Sequence, residues 1–135
     1  MLKTLRARHR VTRFTLWFGL LGSAVAWFVH LVAVWGIVEL ACIAGLPGFP
    51  GVDVPGVIFI MLLIVTAITL LVAIASGLVA YLNREAIREH GNAVDAPVSR
   101  GAGRYMTNGG IYLCVLFVFI ILVETIPVFI VPPCL

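Results

Sequence analysis

The sequence predicts an all-α membrane protein, a single domain of three transmembrane helices with its N-terminus inside and its C-terminus outside. Three observations lead there. Hydrophobic residues make up 62% of the 135-residue chain, where a soluble domain averages about 45–50%. Charged residues are only 11%, too few to coat a water-soluble globule, which carries about 25%. The third observation is where the basic residues fall. Lys3, Arg6, Arg8, Arg10 and Arg13 precede the first apolar segment, and Arg84, Arg88, Arg100 and Arg104 lie between the second and third. The loop between the first two segments and the C-terminal tail contain none. Basic residues near helix ends are retained in the cytoplasm. The N-terminus and the second loop are therefore expected inside, and the first loop and C-terminus outside. The net charge of +3 is explained by this topology, so no nucleic-acid partner is expected. The same residues are expected to meet anionic lipid headgroups.

The first helix is expected over residues 14–42, longer than the ~20 residues that cross the hydrocarbon, so it should tilt or protrude. A signal peptide is the competing reading, given the basic start and the small residues Ser23, Ala24 and Ala26. The hydrophobicity runs on well past those residues, so an uncleaved transmembrane helix is expected. Residues 43–55 contain Gly45, Pro47, Gly48, Pro50, Gly51 and Pro55 and cannot continue a helix, which makes them a short outer loop. Pro55 suits the first turn of the second helix, expected over 56–82. Its mixed-charge continuation through Asn83, Arg84, Glu85, Arg88 and Glu89 is compatible with a further solvated stretch, with Gly91 and Asn92 as the stop. Residues 83–104 form the cytoplasmic loop. The third helix is expected over 105–126. Pro127 can kink it without ending it, and Pro132 and Pro133 do end it. Trp17, Tyr81 and Tyr105 fall at the inner boundary, where interfacial aromatics belong.

In lipid, helices associate where small residues let backbones approach. Helix one carries such a stripe in Gly19, Ser23, Ala26, His30 and Ala33. Helix two has Thr66, Thr69, Ala73, Ser76, Gly77 and Ala80. These faces should meet each other or a partner. The remaining faces are large and apolar, and three helices cannot cover them, which points to a larger assembly or to lipid.

Two ionisable residues stand out. His30 lies about 25 Å above Arg13, and Glu124 about 30 Å above Arg104, by the helical rise. Both therefore sit in the outer half of the bilayer, where ionisable residues are rare and suggest a function. The two are expected to pair, or both to face a polar groove of a neighbour, and two roles stay open: an interhelical hydrogen bond, with Glu124 protonated or not, or a proton relay. Glu39 falls at the outer interface, where headgroup solvation accounts for it.

No catalytic residue, cofactor ligand set or metal cluster is expected. His30 is the lone histidine at membrane depth, no Cys-x-x-Cys-His occurs, and no nucleophile triad or phosphate loop is present. The topology places Cys42 and Cys134 together on the outer side, where disulfides form. Such a bridge would stabilise by up to ~4 kcal/mol in the chain-entropy model. Two free thiols, or pairing with another subunit, remain the alternatives. Cys114, inside helix three, is expected to act as a small apolar residue without a partner.

The stretch Ala26-Trp27-Phe28-Val29-His30-Leu31, followed by Cys42, occurs together with the ending Pro127-Val128-Phe129-Ile130-Val131-Pro132-Pro133-Cys134. This combination resembles a group of small bacterial membrane proteins encoded beside haem-copper cytochrome oxidases and alternative complex III. The resemblance covers about a third of the chain. It implies an accessory subunit of a respiratory assembly in a bacterial inner membrane, with other integral membrane subunits as partners. It marks Trp27, His30, Cys42 and Cys134 as characteristic residues and implies no catalytic residue here. A chain of this kind is not an enzyme by itself. The alternatives are a small transporter or proton-conducting homo-oligomer using His30 and Glu124, and an assembly factor that binds only transiently.

Overall fold

The structure, a computed structural model, describes residues 11–43, 54–89 and 100–130. These residues form three α-helices and no strand: α1 (Arg13–Ile43), α2 (Val54–Glu89) and α3 (Arg100–Ile130). Each is long and apolar enough to cross a membrane, the architecture of a multi-pass membrane protein. All three pack on one another, α1 and α2 most extensively. The greater part of the outer loop, and Cys134 with its expected pairing to Cys42, lie outside the described residues.

The entry to α1 is fixed by a reciprocal cap. The Thr15 amide donates to the Thr12 hydroxyl at 3.2 Å, and the Thr12 amide donates to the Thr15 hydroxyl at 3.0 Å. Two amides that the helix leaves unpaired are thereby satisfied. At this same, basic end of the bundle the expected loop over 83–104 is shortened from both sides, on the α2 side by the continuation that the mixed-charge stretch allowed. α2 continues to Glu89, its last turn held by an Arg88–Glu85 contact of 3.8 Å and by Arg88 at the negative end of the helix dipole. α3 starts at Arg100 rather than Tyr105, in spite of Gly101 and Gly103. Gly103 and Thr107 are buried there, so tertiary packing outweighs the cost of glycine in a helix. Pro127 lies inside α3, which continues to Ile130 rather than stopping at 126.

The bundle is layered along its axis. Next to the basic end, the Asn83 side-chain amide donates to the Thr15 carbonyl at 2.9 Å. One layer further, glycines bring backbones together. A Cβ on Gly19 would lie 3.1–3.2 Å from Ala80 of α2, and one on Gly110 would collide with the Gly19 carbonyl. Next, a Cβ on Gly22 would lie 2.9 Å from the Ser76 Cβ, and one on Gly77 would collide with the Cys114 sulfur. Ala26, Ala73 and Ile121 form the apolar centre, flanked by Trp27, Leu70 and Val118. Beyond that centre lie His30, Thr66 and Glu124.

Of the residues expected to pack helices, Gly19, Ser23, Ala26 and Ala73 are buried, while Ala33 and Gly77 are half-buried. Cys114 has no disulfide partner, as expected, but its thiol does more than fill space. Because Gly77 has no side chain, α3 comes close enough for the Cys114 thiol to donate to the Ala73 carbonyl at 3.2 Å.

Candidate functional site: a polar cluster between three apolar helices

His30 occupies the face of α1 that the small-residue spacing directs inward, and its side chain is one of the largest fully buried in the protein. Its Nε2 lies 3.2 Å from the Thr66 hydroxyl of α2. Its Nδ1 lies 3.9 Å from Glu124 Oε2 of α3, which is electrostatic contact but too long for a hydrogen bond. Nδ1 accordingly has no hydrogen-bond partner. One neutral tautomer suits both neighbours: the proton on Nδ1 faces the carboxylate, and Nε2 accepts from the Thr66 hydroxyl.

Glu124 is held more firmly by a residue one turn earlier on α1. The Trp27 indole N–H donates to its carboxylate, 3.1 Å from Oε2 and 3.2 Å from Oε1. The Trp27 ring packs on Phe117 of α3, with centroids 5.3 Å apart. Indole ring and indole N–H thus bind the same helix, one through apolar contact and one through a hydrogen bond. Trp27 and His30 sit three residues apart on α1, which puts both on the side facing α3.

The cluster borders two spaces of very different size. Where the three helices meet, His30, Thr66 and Thr125 line a small cavity of about 10 Å³, room for one water at most. Between α1 and α3, His30, Glu124, Leu31, Val34, Trp35 and Val38 line a groove of about 370 Å³ on the outer surface. The Glu124 side chain is 36% exposed there, and Trp35 is 65% exposed.

Toward the basic end, the cluster is cut off. Ala26, Ala73 and Ile121 fill the next layer. The Thr69 hydroxyl at that level donates to the Val65 and Thr66 carbonyls of its own helix. The Ser23 and Ser76 hydroxyls lie beyond this layer and are buried without a hydrogen-bond partner.

The structure brings together His30 and Glu124, the pair singled out by depth, and adds Trp27 and Thr66, which depth reasoning overlooked. The Trp27 signal was available in its three-residue spacing from His30, but an aromatic on an apolar helix has many other uses. Glu39 is exposed near the C-terminal end of α1. Among the described residues, no group of three or more His, Cys, Asp or Glu could hold a metal ion. Chemically, the cluster can bind helices and hold a proton; it contains no activated nucleophile. No family of known proteins, no curated relative and no solved structure matches this chain.

Proposed function

We propose that this chain is a non-catalytic helical subunit of a larger bacterial inner-membrane assembly, with its basic end in the cytoplasm. The assembly is of the respiratory electron-transfer class, a haem-copper oxidase or alternative complex III. The observation that carries the subunit role is Glu124. Its carboxylate sits in the half of an apolar bundle away from the basic end, is tied by Trp27 to α1 and beside His30, and is still more than one-third exposed on a surface groove. An ionisable group facing hydrocarbon is expensive, so a covering neighbour is favoured over lipid. The many exposed large apolar residues of all three helices leave further surface for such neighbours. The respiratory class is supported by the sequence resemblance alone. Trp27 and His30, which carry part of that resemblance, supply two interhelical contacts, as a structural role requires.

Deleting the chain and purifying the respiratory complexes from those membranes tests this function. The expected result is reduced recovery of an intact complex, or loss of a neighbouring subunit. Unchanged composition and turnover would overturn it.

The unpartnered His30 Nδ1 beside a carboxylate favours a second reading, a proton-conducting oligomer. The apolar layer of Ala26, Ala73 and Ile121 opposes it, since a proton wire needs continuous polar groups or water. Proton flux into liposomes containing the purified chain, abolished by His30→Ala, would establish conduction. Liposomes no leakier than empty ones would eliminate it.

A further inference from the structure

We propose that the lipid-facing surface formed by α2 and α3 holds one anionic phospholipid, its phosphate among Arg84, Arg88 and Arg104 at the basic end and an acyl chain in the groove beside Gly77. Two cavities on the same helix pair support this. The first, of about 300 Å³, is lined by Arg84, Ile87, Arg88, Arg104 and Thr107. Glu85 lies 3.8 Å from Arg88 and offsets one charge, so the described side chains leave the pocket cationic. α3 begins at Arg100, one turn before Arg104, and its positive dipole end adds to the attraction for an anion.

The second cavity, of about 450 Å³, is an apolar groove whose lining includes Ile74, Gly77, Tyr81, Cys114, Val118 and Leu122. Along α2 the residues at 74, 77, 81, 84 and 88 are spaced by threes and fours, which places them on one face. Along α3 the residues at 104, 107, 111, 115, 118 and 122 do the same. The cationic pocket and the apolar groove are therefore consecutive parts of one stripe, polar at the basic end and apolar toward the bundle centre. That is the shape and polarity of a phospholipid lying along a helix pair. Basic pockets at helix ends recognise anionic headgroups. Three guanidiniums against one carboxylate favour a headgroup without an amine. A free phosphate would use the pocket and leave the groove unexplained.

The site rests on the helices being embedded in a bilayer, which alkaline extraction of membranes tests separately. Release of the chain into the soluble fraction would sink the membrane reading itself. Retention in the membrane leaves the lipid site to be judged on its own.

The test is native mass spectrometry of the delipidated full chain in mild detergent, with dioleoyl phosphatidylglycerol or dioleoyl phosphatidylcholine added. The expected result is one retained phosphatidylglycerol per chain and little phosphatidylcholine. Arg84→Gln with Arg104→Gln should weaken phosphatidylglycerol retention about thirtyfold, from the increment per basic residue near an anionic surface. Arg13→Gln, outside the pocket, should leave retention unchanged. Val115→Trp, at an exposed position on the groove, should reduce retention without lowering the thermal midpoint. Excess inorganic phosphate should not displace the lipid. Equal retention of the two lipids, equal loss in Arg13→Gln, no effect of Val115→Trp, or displacement by phosphate alone would overturn the proposal.

Discussion

The two halves of this bundle are held together by different physics. Toward the basic end, backbones touch: Gly110 of α3 lies against the Gly19 carbonyl of α1, and Gly19 against Ala80 of α2. Toward the opposite end, side chains reach across instead, Trp27 to Glu124 and His30 to Thr66. Gly36 marks the contrast, because a Cβ there would meet nothing within 4 Å. Where hydrocarbon is the solvent, apolar burial gives helices little reason to associate, and close packing or interhelical hydrogen bonds must supply the attraction. Here close backbone packing dominates the basic end, beside the single Asn83–Thr15 bond, and side-chain hydrogen bonds dominate the other end. The groove lined by His30 and Glu124 opens at this second end, so side chains that hold the helices together there also form the candidate site.

That contrast can be broken most severely at Gly110. Gly110→Val places a branched side chain against backbone that cannot rotate away, and should cost about 3 kcal/mol, the upper range for overpacking. Unfolding in mixed micelles would show it as a large fall in midpoint. A variant as stable as the parent would mean that α1 and α3 do not touch there.

Glu124→Ala comes next. It leaves the Trp27 N–H without an acceptor, at about 1–3 kcal/mol. Combined with Trp27→Phe in a double-mutant cycle, the coupling should be about 0.6–1.7 kcal/mol, the range for hydrogen bonds between membrane helices. Additive effects would remove the direct bond. Thr66→Val keeps the side-chain shape and removes the hydroxyl that meets His30, so the same assay should register about 1 kcal/mol or less. No response to Thr66→Val in a His30→Ala background, against a clear one in the parent, would assign the effect to that contact.

The smallest effect belongs to Gly36→Ala. With open space around it, the change should lie within about 0.5 kcal/mol or stabilise slightly through helix propensity. A loss as large as that at Gly110 would erase the distinction between the two halves.

Much of the architecture was legible in the sequence because hydrophobicity and helical rise are additive along a chain. Three apolar stretches are enough to give three helices. Measuring 1.5 Å per residue from Arg13 and Arg104 placed His30 and Glu124 at a common level, and the structure has them 3.9 Å apart. The close approach at Gly110 was not legible. Gly109 and Gly110 adjoin, and nothing in their local pattern shows that one meets Leu20 and the other the Gly19 backbone. That assignment depends on how α3 is rotated against α1, a property of the whole bundle. The early start of α3 was hidden for a similar reason, since Gly101 and Gly103 look like loop residues until burial is known. The Trp27–Glu124 bond spans 97 residues, and no local pattern announces it.

The most direct test of the subunit role is mild-detergent extraction of the native membrane and native-gel separation, with visible spectra and mass spectrometry of the band containing this chain. The expected result is stoichiometric migration with haem-bearing subunits, weakened when Glu124→Ala removes the carboxylate from the groove. Migration alone, or as a small haem-free oligomer, would contradict the respiratory subunit and leave His30 and Glu124 as the centre of a conducting protein.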